Sequence, residues 1–252
     1  SFNKDINSWN VSKVISMSHM FEDAIIFNQN INSWNVNKVR RMNSMFKNAQ
    51  SFYMNISSWN VNSAYEMSNM FDNTPLYNND LGNYIFKQWI RRTNNDSNAQ
   101  ALGDVFVSLN VRDLSGLLEN LPFNYNISEW DVSQVTDMNK MFKNAYEFKQ
   151  NIATWNVYSV TDMTEIFTNA SQIVNTDTGK AIFHTWIQET ANPNNIDALG
   201  DVLTSLEIKD LSNLFSDSTF NLDITGWNVS KVTNMREMFQ NATIFNQNIG
   251  GW

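Results

Sequence analysis

The residue types able to do chemistry are few in this chain, and their spacing gives them little to do. His19 and His184 are the only histidines and cysteine is absent, so disulfides, thiolate metal sites and histidine-rich clusters are excluded. No constellation of serine and aspartate is repeated around either histidine, and a lone surface histidine is the better reading of both. The strings NNDLG at 78–82 and NTDTG at 175–179 set Asp and Gly two apart, as at the start of a calcium loop. No carboxylate follows at the distance that would complete such a loop, so both strings read as caps of the helices behind them. Eight scattered glycines leave no phosphate-cradling pattern. Sequons such as Asn10-Val11-Ser12, Asn126-Ile127-Ser128 and Asn228-Val229-Ser230 arise readily in an asparagine-rich repeat. The expectation is a protein without catalytic residues, metal or cofactor.

What must be positioned is therefore a surface, and composition bounds it. Lys plus Arg is 17 against 25 for Asp plus Glu, a formal charge of −8 over 252 residues, which argues against nucleic acid or an anionic membrane as partner. Hydrophobic residues at 42% and aromatics at 13% are too rich for disorder, and no apolar run approaches the roughly 20 residues of a membrane span. Asparagine, about one residue in six, is far above ordinary usage.

Periodicity explains the excess. Tryptophans fall at 9, 34, 59, then 130, 155, then 227, 252, in steps of 25 within each group. A second period of 97 aligns Ile85–Trp155 with Ile182–Trp252 without a gap, including ALGDV at 101–105 and 198–202, so a larger module is duplicated. Markers eight residues after each tryptophan are Met17, Met42, Met67, Met138, Met163 and Met235, and RDLSGLL and KDLSNLF add Leu114 and Leu211. That makes eight turns, two of them preceded by an insertion.

One unit has the apolar frame Ile31, Trp34, Val36, Val39, Met42, Met45, Phe46, Ala49 and Phe52. Its opening I-x-x-W-x-V fits the strand of a leucine-rich repeat, with Trp34 and Val36 inward and Ser33, Asn35 and Asn37 outward. The later spacing of three and four reads as a short helical or 3₁₀ segment, capped by residues such as Thr136 and stopped by Asn in the KNA strings at 47–49 and 143–145. The expected fold class is an α/β repeat solenoid, leucine-rich-repeat-like, with about eight turns of short parallel strand plus short helix or 3₁₀ segment and two inserted helices. The whole chain, 1–252, reads as one such array and as a segment of a longer chain. Methionine at the marker positions reads as adaptable core filler.

The recurring string FNxDIxxWxVSxVTxMxxMFxxA resembles the repeat of the BspA-like surface proteins, the DUF285 group. The resemblance covers nearly the whole chain. It implies a leucine-rich-repeat-like solenoid with a surface-exposed adhesion or recognition role, placed on a cell surface, secreted, or on a virion surface, and it carries no catalytic residues over. In the inserted segments, about 78–104 and 175–201, NYIFKQWIRRT and KAIFHTWIQET set Ile, Phe, Trp and Ile on one stripe of an amphipathic helix. Such helices cover the flank of the array, with partner docking as the lesser alternative. The strand motif blurs at VFVSLNVRDL, where no inward pair is clear.

Asparagine then has two expected jobs. Asn28, Asn124, Asn221 and Asn246 fall where the return loop turns inward and are expected to bond loop backbones of adjacent turns. Asn10, Asn35, Asn60, Asn156 and Asn228 point outward, where stacked amides either bond one another or meet a ligand. The candidate binding face is Ser33, Asn35, Asn37, Ser58, Asn60, Asn62, Glu129, Asp131, Thr154, Asn156 and Tyr158. The expected partner is a protein or glycan on a cell or particle surface, with no nucleic acid and no membrane insertion by this segment. The alternative is a structural component of a virion or surface layer with no soluble ligand.

Overall fold

A computed structural model of the chain describes residues 2–252; Ser1, the first residue of the expected array, lies outside the described residues. The apolar residues spaced three apart bracket tight turns. In the second repeat Trp34 N–H donates to Ile31 O at 3.1 Å, Val39 to Val36 at 2.9 Å, Met45 to Met42 at 3.1 Å, Ala49 to Phe46 at 2.9 Å and Phe52 to Ala49 at 2.9 Å. Each turn carries two residues with left-handed backbone, four apart: His19 and Asp23, Ser44 and Asn48, Asn69 and Asn73, Lys140 and Asn144, Glu165 and Asn169. That conformation interrupts a helix and a strand alike.

Between these local bonds, alternate N–H groups reach the next turn. Met17, His19, Phe21 and Asp23 donate to the carbonyls of Arg41, Asn43, Met45 and Lys47, and Met42, Ser44, Phe46 and Asn48 donate to Glu66, Ser68, Met70 and Asp72, all at 2.8–3.0 Å. Along this stretch the backbone alternates between donating to itself and donating to its neighbour.

This pattern overturns the expected solenoid of strand-plus-helix turns. Extended pairing is confined to isolated parallel bridges, Ser16 with Arg41, Arg41 with Glu66, Asp113 with Asp137, Asp137 with Asp162 and Asp210 with Asn234, and no sheet forms among the described residues. The stretch after Trp9, Trp34, Trp59, Trp130, Trp155 and Trp227 is a run of turns and not a helix or 3₁₀ segment. A leucine-rich-repeat architecture with parallel strands is therefore not what this sequence builds. The cause is local: tight turns and left-handed residues recur too often for either regular ladder to propagate.

The inward assignment of the apolar frame holds. Met42, Met45, Phe46, Ala49 and Phe52 are fully buried, with Trp34 and Val36 nearly so. Aromatic rings of successive turns stack: Trp34 on Trp59 with centroids 6.4 Å apart and planes 4° apart, Phe27 on Phe52 at 6.0 Å, and Phe46 on Phe71 at 5.7 Å. Each large ring withdrawn from water contributes about 1.5–3 kcal/mol, and only a neighbouring turn can withdraw it.

Regular helix is found in the inserted segments, as two hairpins: α1 (Asp80–Ile90) with α2 (Asp96–Leu109), and α3 (Asp177–Thr190) with α4 (Ile196–Ser205). The chain divides into two compact units, Ser1–Arg112 with Tyr125–Asp131, and Asp113–Asn124 with Val132–Trp252. The first contains α1 and α2, the second α3 and α4.

Candidate functional site

The inserted helices are positioned by their caps and by two glycines in each hairpin. Asn79 caps α1, its Oδ1 accepting from Leu81 N at 2.9 Å, and Thr176 caps α3, its Oγ1 accepting from Gly179 N at 3.1 Å. A Cβ on Gly82 would stand 2.2 Å from Leu76 O, and one on Gly179 2.3 Å from Ile173 O. The Asp-x-Gly strings therefore serve helix entry and close approach of the helix to the preceding turn. Gly103 and Gly200, within the repeated ALGDV, face Trp130 and Trp227, whose Cδ1 atoms would lie 2.7 Å from an added Cβ.

The apolar stripe read from the sequence is the buried one: Ile85, Phe86, Trp89 and Ile90 in α1, and Ile182, Phe183, Trp186 and Ile187 in α3. These helices enter the stack itself. Trp89 lies on Trp59 at 6.5 Å with planes 5° apart, and its Nε1 donates to Ile56 O at 3.3 Å, as Trp59 Nε1 donates to Ile31 O at 3.1 Å. The second helix of each hairpin, α2 and α4, is not among the expected elements, since ALGDV enters the sequence reading only as a duplicated string. Its signal is present in the spacing of Ala99, Leu102, Val105, Phe106 and Leu109, all buried, and it accounts for the blurred strand motif at VFVSLNVRDL.

The candidate face divides between the units. Ser33, Asn35, Asn37, Ser58, Asn60, Asn62, Glu129 and Asp131 belong to the first, and Thr154, Asn156 and Tyr158 to the second. Asn35, Asn60, Glu129, Asp131, Asn156 and Tyr158 have outward, solvated side chains, while Asn37 and Asn62 sit where the next tight turn begins. Ser33 Oγ donates to Asn7 Oδ1 and Ser58 Oγ to Asn32 Oδ1, each at 2.5 Å. Asn35, Asn60 and Asn156 do not form the stacked amide ladder envisaged for them. Each Oδ1 accepts from the backbone N–H two residues on, at Asn37 (3.3 Å), Asn62 (3.1 Å) and Tyr158 (3.1 Å), because a short amide side chain readily closes such a turn. The second loop position behaves as expected: Asn28 Oδ1 accepts from Tyr53 N at 2.9 Å, Asn124 Oδ1 from Lys149 N at 3.0 Å, and Asn221 Oδ1 from Asn246 N at 2.9 Å.

A true side-chain ladder lies elsewhere, on the left-handed residues. Asn48 Nδ2 donates to Asp23 Oδ1 at 2.8 Å and Asn73 Nδ2 to Asn48 Oδ1 at 2.7 Å. In the second unit Asn144 donates to Asn120 at 2.8 Å, Asn169 to Asn144 at 3.0 Å, and Asn241 to Asp217 at 2.8 Å.

Among titratable groups, His19 is exposed and pairs with Glu22 at 2.6 Å. Burial, ahead of the nearby Lys180, pulls the half-buried His184 imidazole below its usual range, opposed by the Asp210 carbonyl 3.4 Å away. The Lys180 ammonium, 2.5 Å from Asp210, holds that carboxyl well below the usual carboxylate range, helped by Ser212. Burial raises Asp72, Asp104 and Asp201. No cluster of three or more metal-ligating side chains occurs among the described residues, and no helix there is long and apolar enough to cross a membrane.

No curated protein and no solved structure matches the chain. One family model matches over residues 1–89, 86–195 and 183–252, and its description is "Mycoplasma protein of unknown function, DUF285". The match does not extend to the leucine-rich-repeat and BspA-like relationship that the motif suggested. With the three matches spanning the repeats and both helical hairpins, the chain belongs to the DUF285 family.

Proposed function

We propose that the chain is a non-enzymatic interaction module that meets a protein or glycan on a cell or particle surface through its outward row of hydroxyls and amides. The observation that carries this reading is the state of Asn35, Asn60 and Asn156. Each is exposed, and each has its Oδ1 tied to its own backbone. The amide is thereby fixed in one orientation with its NH₂ group left over for a partner. Fixing polar groups before binding lowers the ordering cost of association. The repeat supplies such groups at one-turn intervals, which suits an extended ligand. The surface setting, whether cell surface, secreted or virion, belongs to the same proposal.

The test is binding of the intact chain to arrays of glycans and surface proteins, with Asn35→Lys, Asn60→Lys and Asn156→Lys introduced together. Loss of a captured ligand with an unchanged melting curve supports the reading. Undiminished binding by the triple variant overturns it.

A further inference from the structure

The inter-turn ladder is broken at one place in each unit. In the second unit Met138, Lys140, Phe142 and Asn144 donate to the carbonyls of Asp162, Thr164, Ile166 and Thr168. The next row of donors would be Met163, Glu165, Phe167 and Asn169, and no hydrogen bond within the described residues uses those four N–H groups. The chain turns instead into α3 and α4, whose carbonyls are engaged within the helices. The first unit repeats the arrangement: Met67, Asn69, Phe71 and Asn73 have no backbone acceptor, and α1 and α2 come next. Buried backbone donors without a partner are rare; Met67, Phe71, Met163 and Phe167 are fully buried, and their recurrence at the same point of a duplicated module is a built feature.

Two residues of each row line a cleft, Glu165 and Asn169 in the second unit and Asn69 and Asn73 in the first. In the second unit it has a volume of about 400 Å³ and lies between Thr164, Glu165, Thr168 and Asn169 on one wall and Asp201, Thr204 and Glu207 on the other. The first-unit cleft, of about 670 Å³, has Asn69, Asp72 and Asn73 opposite Val107 and Ser108 on α2; its helix wall carries no carboxylate, so the acidic wall belongs to the second-unit cleft. The donors of Glu165 and Asn169, both in left-handed residues, stand at the lip of the second-unit cleft.

The chemistry of the occupant is set by what each wall needs. The donor wall needs backbone carbonyls on alternate residues, the acceptors it uses everywhere else in the ladder. An extended peptide supplies them about every 6.6–6.8 Å. A free anion would suit the donors but would meet Asp201 and Glu207, Glu165 being already paired with Lys143 at 2.8 Å and Lys140 at 3.6 Å. A bare cation would suit the carboxylates and leave the donors unpaired. A peptide with basic side chains satisfies both. We propose that the cleft between the 162–170 turn and α4 binds an extended segment of a basic protein, its carbonyls accepting from the Glu165 and Asn169 amides and its lysine or arginine side chains meeting Asp201 and Glu207. Asp201 Oδ2 accepts from Thr164 Oγ1 at 3.3 Å across the cleft, a bond that the entering cationic side chain would replace.

This site is separate from the outward row of the proposed function, so the two can fail independently. The experiment is amide NMR of the isotope-labelled intact chain titrated with an alternating Lys-Val octapeptide, and with a Glu-Val octapeptide as control. The expected result is that the Glu165 and Asn169 amides shift with the basic peptide only, and that Asp201→Asn with Glu207→Gln weakens binding roughly tenfold while the melting temperature does not fall. Equal binding of the acidic peptide, shifts confined to Asn156 and Tyr158, or no shift at millimolar peptide would overturn the proposal. In the second of these cases the outward-row reading would stand.

Discussion

Asn73 donates its side-chain amide to Oδ1 of Asn48 at 2.7 Å, and both residues hold left-handed backbone, with φ of 57° and 60°. One residue type meets two demands there: asparagine tolerates this backbone better than other non-glycine residues, and its amide both donates and accepts along the stack. Asn48→Ala loses both properties and is expected to cost about 1–3 kcal/mol, measured by urea unfolding. Asn48→Gly keeps the backbone freedom and should cost less. Equal losses for the two would refute the conformational part of the account.

Trp59 separates ring packing from hydrogen bonding. Trp59→Phe retains an aromatic ring but leaves Ile31 O, now bonded at 3.1 Å, without its indole donor. A loss of about 1–3 kcal/mol is expected, against about 3–5 kcal/mol for Trp34→Ala, which removes a buried ring. A near-unchanged melting curve for Trp34→Ala would contradict its place in the core.

The glycines of ALGDV test the helix-on-tryptophan contact. Gly103→Ala brings a methyl to 2.7 Å from Trp130 Cδ1, and overpacking of this kind costs about 1–3 kcal/mol. Gly200→Ala should match it through Trp227. Gly251→Ala, with no atom within 4 Å of its added Cβ, is the control and should be silent. Calorimetry of the three variants decides the matter.

His184 predicts an acid-side loss of stability. Its folded value is lowered by burial, so the folded state favours the neutral ring. The unfolded chain then binds more protons near and below the unperturbed value of about 6.5. Stability is therefore present above that pH and lost as pH falls through it. Asp210, also lowered, behaves in the same sense further into the acid range. His184→Gln should flatten the dependence between about pH 7 and 5. An unaltered slope in equilibrium unfolding would remove His184 from the account.

The repeat, its inward face and the helical stripe were legible because apolar residues at fixed spacing are read the same way whatever the backbone does between them. Trp34, Met42 and Phe46 would be buried in a leucine-rich repeat or in a stack of turns. The backbone itself was not legible. A spacing of three means one face of a helix in one context and the two ends of a tight turn in another, and Ile31 with Trp34 or Met42 with Met45 is the second case. The deciding signal was the asparagine of KNA, which reads as the end of a helix, although Asp23, Asn48 and Asn73 occupy that place in successive turns with left-handed geometry each time. The candidate outward row was found by alternation, and Asn35, Asn37, Asn60 and Asn156 are exposed while Asn62 is half-buried. The broken ladder could not be found that way, because backbone donors leave no mark in residue type.

The direction of the ladder bears on how the chain is made. In the rows that begin at Met17 and Met42, each inter-turn bond runs from an N–H of the earlier turn to a carbonyl of the later one, as from Met17 to Arg41 and from Met42 to Glu66. During synthesis each newly emerged turn has these donors waiting for sequence still inside the ribosome. These bonds can close only one turn in arrears of translation, whereas those from Arg40 N to Ile15 O and from Tyr65 N to Arg40 O run the other way and can close as the later turn emerges. The exceptions are α1 and α3, whose backbone bonds are made within the helix as it emerges, although Phe86 and Phe183 still wait for Trp130 and Trp227 to cover them.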